Sequence, residues 1–168
     1  MKQHFVMMAN YNAWANALAY AAAADLSDED YRADLGAAFH SIHGTLNHLV
    51  VGDLIWMHRF TGEGDTPARL DTILHDDLAA LKAHRDALDA RIKAHTQNLT
   101  EADLASRFTY TRVTDGMTAT QPRATALAHF FNHQTHHRGQ VHALLTRLTG
   151  QAPSMDLVFY QRDTGDGL

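Results

Sequence analysis

Apolar residues recur at intervals of three and four positions in four separate segments of this chain. In the first segment Met7, Tyr11 and Trp14 follow this spacing, which places side chains on one face of an α-helix. Four long amphipathic helices with short connections predict an all-α four-helix bundle, although spacing alone leaves the order and direction of the helices open. The predicted helices cover approximately residues 7–22, 36–60, 74–92 and 122–148, and Gly150 follows the last of them.

Two segments depart from the helical spacing. Between the third and fourth helices the sequence RFTYTRVTDGMTATQ alternates Phe108, Tyr110 and Arg112 and then offers Asp115-Gly116 as a two-residue turn. This pattern predicts a short β-hairpin. After the fourth helix, QAPSMDLVFY predicts an extended apolar tail that packs back on the bundle.

Composition narrows the class of protein. The chain has 168 residues, of which 45% are hydrophobic, and we interpret residues 1–168 as a single globular domain. The formal net charge is -5 with Lys and Arg scattered singly, which argues against a nucleic-acid partner. With no apolar run of about 18 residues and no signal-peptide pattern at the start, we expect a cytoplasmic protein that does not bind membranes.

The absence of cysteine limits the chemistry further. It excludes disulfides, thiolate nucleophiles and cysteine-ligated metals, so any metal must be held by His, Asp or Glu. A di-iron carboxylate site requires glutamates on several helices, yet Glu29, Glu63 and Glu101 all fall in connecting segments. The kind of metal site that the composition still allows is one metal ion bound by histidines.

The stretch HFFNHQTHHRGQ places four of the chain's 13 histidines in the fourth helix. At about 100° per residue, His133 and His137 share the apolar stripe with Phe130 and Val141. Either both are core histidines with hydrogen-bond partners, or both bind one cation from adjacent turns. Spacing alone leaves both interpretations open.

The second helix offers a third inward-facing imidazole, His48. Gly44 and Gly52 flank it one turn away on either side, although glycine costs about 1 kcal/mol relative to alanine in a helix interior. The glycines either leave room for a ligand or permit a close helix crossing. Three neutral imidazoles are typical of a catalytic metal site with an open coordination position, and the candidate metal ligands are therefore His48, His133 and His137.

Other polar residues have less specific interpretations. Gln140 lies on the side of the fourth helix that can line the site, whereas Asp53 faces away from it and is predicted to pair with Arg138 or with another helix. His129 and His136 either support the ligating imidazoles or lie on the helix surface.

Three further side chains, those of Arg59, Tyr11 and Trp14, lie in the predicted helices and have structural interpretations. Arg59, like Arg138, is predicted to be an ion-pair partner and not a substrate clamp. Tyr11 and Trp14 are predicted to pack in the core.

Four motifs, found in order over nearly the whole chain, resemble the DinB family of four-helix bundles. They are YNAWAN at residues 11–16, SIHGTLNHLVVGDLIWMHRF at residues 41–60, NHQTHHRGQVH at residues 132–142 and MDLVFY at residues 155–160. The second and third motifs are the specific ones. The resemblance implies an up-down-down-up bundle with one divalent metal ion, usually zinc or nickel, held at His48, His133 and His137, and it lets Tyr11 or Trp56 border the pocket.

The resemblance also implies a range of activities. Related proteins include thiol transferases that use low-molecular-weight thiols and a thiol-dependent maleylpyruvate isomerase, and family members are often homodimers. A metal-dependent enzyme that performs thiol S-transfer or hydrolysis on a small molecule is thus the leading hypothesis. The alternatives are a stress-response protein that binds metal or a small ligand without catalysis, and a structural bundle whose inward histidines bond to each other and to water.

Overall fold

The computed structural model describes residues 1–113 and 115–168, which form a mostly helical bundle with one small antiparallel sheet. The elements are α1 (Lys2–Ala24), α2 (Asp28–Arg32), α3 (Ile42–Thr61), α4 (Leu78–Asn98), α5 (Glu101–Ala105), β1 (Arg107–Thr111), β2 (Thr118–Pro122), α6 (Arg123–Thr149) and α7 (Leu157–Thr164). The four long helices α1, α3, α4 and α6 correspond to the four predicted from periodicity. The all-α four-helix bundle is therefore confirmed.

The contacts between the long helices establish their order and direction. Helices α1 and α3 each pack against both α4 and α6. Phe5 of α1 contacts Phe131 of α6, and further along both helices Asn12 contacts Arg138. These two helices are therefore parallel. Helices α3 and α6 are antiparallel, because His48 contacts His137 whereas the later residue Phe60 contacts the earlier residue Arg123.

Helices α3 and α4 are parallel, because Asp53 contacts Arg85 and the later residue Thr61 contacts the later residue Arg91. The topology is up-down-down-up, as the resemblance implied.

The ends of the helices follow local capping chemistry. The side chain of Ser41 accepts a hydrogen bond from the backbone N–H of Gly44 and begins α3, and Asp77 does the same for Ala80 at the start of α4. Gly150, with φ of 79°, ends α6 in the left-handed conformation that favours glycine. Helix α6 therefore ends at Thr149, one residue beyond its predicted end.

Two predicted helix starts were wrong, and two short helices were missed. The second helix begins at Ile42, because residues 36–40 form a tight turn in which His40 has φ of 65°. Leu74 lies outside α4, since its backbone N–H donates to the Asn47 side chain at 2.8 Å and holds it in the connecting segment. The short helices α2 and α5 were not predicted, although the Thr100 and Asp103 capping box marks the start of α5.

The β-hairpin is confirmed, but its predicted two-residue turn is wrong. The ladder pairs Arg107 with Pro122 and Thr111 with Thr118 at its two ends. The Arg112 N–H still donates to the carbonyl of Met117 at 2.9 Å, so four residues, including Asp115-Gly116, separate the last bonded positions. Thr114, in that connection, is outside the described residues.

The segment after α6 packs on the bundle as predicted, but only its first half is extended. Residues 157–164 form α7 instead of continuing the extended tail. The buried ring of Tyr160 packs against Tyr11 and Trp14 of α1, and the Tyr11 hydroxyl donates to the carbonyl of Met155 at 2.7 Å. Tertiary packing thus selects a helix for a sequence rich in β-branched and aromatic residues.

A buried polar network crosses the centre of the bundle. Arg85 of α4 lies 2.7 Å from the Asp53 carboxylate of α3 and 2.9 Å from Asp89, and Asn16 of α1 donates to Asp89 at 3.1 Å. Gln134 of α6 also donates to Asp53. All four long helices therefore meet at one set of buried polar groups joined by ion pairs and hydrogen bonds, in which Nε of Arg85 has no hydrogen-bond partner among the described residues.

The network shows which residue forms an ion pair with Asp53. The ion pair with another helix is present, but the partner is Arg85 of α4 and not Arg138. Arg138 instead donates to the side-chain oxygens of Asn12 and Asn16. Burial raises the pKa of Asp53 to about 6, opposed by the charge of Arg85.

Within the described residues, no helix combines the length and the apolar character needed to cross a bilayer.

Candidate metal centre

The three histidines singled out by the helical wheels meet where α3 crosses α6. The Nε2 atom of His48 lies 3.3 Å from Nε2 of His133 and 3.2 Å from Nε2 of His137. His48 and His137 are buried and His133 is half-buried. Among the described residues these three form the one group of three or more potential ligands whose donor atoms all lie within 4.8 Å of one another.

Hydrogen bonds at the opposite ring nitrogens orient two of the imidazoles. Nδ1 of His48 lies 2.8 Å from the carbonyl oxygen of Leu70, which can only accept, so Nδ1 carries the proton. Nδ1 of His137 lies 2.8 Å from Oε1 of Gln140 and donates in the same way. In neutral rings, both Nε2 atoms then present lone pairs to the same point.

The electrostatics keep the rings neutral. Burial lowers the pKa of His48 to about 4, and burial together with repulsion from His137 and His48 lowers the pKa of His133 to about 3. Burial also lowers the pKa of His137. Neutral imidazole is the form that binds a metal.

The spacing of these atoms fits a metal site. Two lone-pair nitrogens 3.2 Å apart repel each other and cannot form a hydrogen bond without a proton between them. Two imidazole nitrogens bound to one tetrahedral zinc ion lie about 3.4 Å apart. The donor set, its geometry and its protonation state therefore fit one divalent cation, and this group could hold a metal ion.

Two close contacts explain the glycines that flank His48. A Cβ at Gly52 would lie 2.9 Å from Cε1 of His133, and a Cβ at Gly44 would lie 2.1 Å from the carbonyl oxygen of Phe39. The glycines thus permit close approach of α6 and of the turn before α3, and Gly52 also lines the cavity beside the three histidines. The Phe39 ring, brought in by that turn, stacks on His48 with centroids 3.6 Å apart.

A cavity of about 250 Å³ opens beside the group. His48 and His133 line it together with Trp56, Arg59 and Tyr110. Trp56 therefore borders the cavity, as the resemblance allowed, whereas Tyr11 lines a different one and packs in the core with Trp14.

The other polar residues considered as candidates differ in their distance from the three histidines. Gln140 contacts it through His137, which agrees with the predicted side of the helix. His129 is exposed and lines the cavity, with its ring centroid 6.0 Å from that of His133. His136 is exposed and contacts Gln140 at 3.4 Å between nitrogens.

Sequence reasoning missed the contributions of the connecting segments. The Leu70 carbonyl and the Phe39 ring carried no periodic signal. The alternation that includes Tyr110 predicted a strand but not its place beside the site, because only the tertiary fold brings these segments near the histidines.

Fold and site together define a class: helical bundle proteins with a buried three-histidine group that could hold a metal ion. A sequence model of the DinB family matches residues 1–167, and this chain belongs to the DinB family.

Two relatives show how far the likeness extends. The chain is 25% identical over 148 residues to Protein DinB of Bacillus subtilis (strain 168), with 80% of each chain covered. Its fold is similar to the crystal structure of a DinB-like protein from Bacillus cereus ATCC 10987, with a TM-score of 0.58 and 23% identity over 86% of this chain and 91% of that one. The second likeness concerns the fold alone.

Substitution of Gly52 tests the close approach of α6. We expect Gly52→Ala to displace the His133 ring and to lower the metal content of the purified protein, although alanine favours the helix by about 1 kcal/mol. Gly139→Ala is the matched control, since a Cβ there meets no atom within 4 Å. Mass spectrometry of bound metal gives the comparison. Wild-type metal content in Gly52→Ala would contradict the expected displacement.

The depressed histidine pKa values predict acid sensitivity of the metal-free protein. The unfolded chain binds more protons than the folded one between the folded pKa of His48, about 4, and the ordinary value of 6.5. The unfolding free energy is therefore expected to decrease as the pH falls through this range. Urea denaturation at several pH values measures it, and a His133→Leu variant should show a shallower dependence than wild type. Equal slopes would show that His133 is not held neutral by the fold.

Proposed function

We propose that this protein binds one divalent metal ion through His48, His133 and His137, and that it is a metal-dependent enzyme acting on a small molecule. The observation that carries the proposal is the convergence of Nε2 atoms at 3.2 and 3.3 Å. Membership of the DinB family adds to it. Three protein ligands leave a coordination position for water or substrate, as in catalytic zinc sites.

A divalent ion in such a site lowers the pKa of a bound water or thiol and so makes a nucleophile available near neutral pH. The chain supplies the rest of the site. The Leu70 carbonyl and Gln140 fix the tautomers of two ligands, and the Phe39 ring covers one face of His48. His129 lines the cavity, partial burial lowers its pKa, and it is placed to accept a proton.

We further propose zinc or nickel as the metal, and thiol S-transfer or hydrolysis as the reaction. Imidazole ligands suit both metals. A low-molecular-weight thiol is the proposed substrate class for S-transfer, because an ionised thiol is the stronger nucleophile and the chain has no cysteine of its own.

Metal analysis and turnover assays test the proposal in sequence. About one equivalent of zinc or nickel in tag-free protein, and a melting temperature lowered by chelator, would support the metal site. The loaded protein is then assayed with low-molecular-weight thiols and electrophilic or hydrolysable small molecules. Protein that stays metal-free after reconstitution would overturn the proposal.

A second candidate function is metal or small-ligand binding without catalysis, as expected of a stress-response protein. The lining of the cavity favours it, since no aspartate or glutamate among the described residues lines the cavity. Proton transfer there depends on His129. Full metal content without turnover on any thiol or hydrolysis substrate would select this function over the enzyme.

A further inference from the structure

The cavity beside the three histidines is lined by arginine side chains, although the protein as a whole has a net negative charge. The chain carries a net charge of -5, yet the charged side chains that line the 250 Å³ cavity are Arg59 and Arg112. An adjoining cavity of about 610 Å³ shares both arginines. No described aspartate or glutamate lines either one. Because Arg112 is paired with Asp115, the positive charge that is available to attract an anion is that of Arg59.

Two aromatic rings hold the side chain of Arg59 in place. Its guanidinium lies between the rings of Trp56 and Tyr110, with Cζ 4.5 and 4.6 Å from the two centroids. It donates one hydrogen bond, at 3.2 Å, to the carbonyl of Thr111. Among the described residues no carboxylate lies within 4 Å of it, whereas Arg112 is paired with Asp115 and Arg85 with Asp53.

The sequence-based prediction of Arg59 as an ion-pair partner is therefore wrong within the described residues. A guanidinium has five N–H donors in a planar fork that matches a carboxylate or phosphate. The two rings hold the fork half-buried, where its attraction for an anion is less screened than on the surface. This arrangement of the guanidinium is suited to binding an oxyanion.

We propose that this cavity binds an elongated small molecule whose oxyanion end is held by Arg59 and whose other end reaches the three-histidine group. Arg59 lies eleven residues after His48 on α3. This spacing is about 16 Å along the helix axis, and the lean of the arginine toward Trp56 shortens it to roughly 10 Å. A free carboxylate or phosphate ion is too short to reach both ends.

The proposal rests on the proposed function for the identity of the reacting end, but the oxyanion site can be tested without turnover. Calorimetry of the protein as purified compares benzoylglycine with its neutral amide, benzoylglycinamide. Phenyl phosphate in the same assay distinguishes a preference for phosphate from one for carboxylate. We expect at least one of the two anions to bind about tenfold or more tightly than the amide.

Two variants test the role of Arg59. Arg59→Met keeps the apolar contacts with both rings and is expected to remove the preference for the anion. Arg107→Met is the control, because Arg107 also donates to a hairpin carbonyl, that of Thr120, but lines neither cavity. It should keep the preference.

These measurements distinguish a failure of the oxyanion site from a failure of the proposed metal site. Equal affinity for anions and amide, or an unchanged preference in Arg59→Met, would overturn the oxyanion site. So would a lower melting temperature in Arg59→Met without a change in binding, since Arg59 would then only hold the hairpin to α3. Metal content of the same samples reports separately on the three histidines. A His48→Ala variant that loses metal and keeps the anion preference would support both assignments independently.

Discussion

Replacing His48 with alanine is expected to abolish the divalent-metal binding that we propose for the three histidines. The change removes one of three converging Nε2 atoms and leaves His133 and His137, two residues on one helix. Loss of a group that merely orients a ligand typically lowers metal affinity about 10- to 100-fold, so loss of a ligand should lower it at least as much. Mass spectrometry of bound metal measures the result directly.

The same variant should lose its stabilisation by metal. A ligand that binds only the folded state adds about 2.7 kcal/mol at a free concentration 100 times its Kd, and this gain should disappear with the site. His136→Ala is the control, because His136 is exposed and outside the group. One equivalent of metal in His48→Ala, or its loss in His136→Ala, would show that the metal is held elsewhere.

The second large effect is expected at the buried network. Arg85→Met should lower the free energy of unfolding by about 3–5 kcal/mol, since it leaves the carboxylates of Asp53 and Asp89 buried without a cation. Urea denaturation measures the change. Lys82→Met is the control on the same helix, because the Lys82 pair with Asp86 is exposed, and it should leave stability close to that of wild type.

The pH dependence of this destabilisation identifies its cause. Burial already raises the pKa of Asp53 to about 6, and removal of the Arg85 charge, which opposes that rise, should raise it further. The folded variant then takes up a proton more readily than its unfolded chain, so the destabilisation relative to wild type should shrink as the pH falls from 7 toward 5. A deficit independent of pH would indicate lost packing instead.

The three candidate ligands could be found from the sequence because each lies in a long, strongly periodic helix. His133 and His137 are one turn apart on an apolar stripe, and His48 faces inward on another helix, so wheel positions alone selected all three. The same reasoning was available for Arg85, which lies between Leu81 and Leu88 on the apolar stripe of α4. Its burial with two carboxylates was readable in principle and was missed.

Other features left weaker signals. The Thr100 and Asp103 capping box marks α5, and the side chain of Ser27 caps α2, but helices of five residues are too short to show periodicity. Helix α7 contradicts its local β propensity because the burial of Tyr160 against α1 outweighs it.

The sequence by itself determined the four long helices, the hairpin and the inward positions of the three histidines, because these depend on interactions between residues close along the chain. The tertiary structure decided how the histidines converge, which carbonyl orients His48 and which rings enclose Arg59. Those contacts join residues far apart in sequence, such as His48 with His133 and Arg59 with Tyr110, and no local pattern encodes the distance between them.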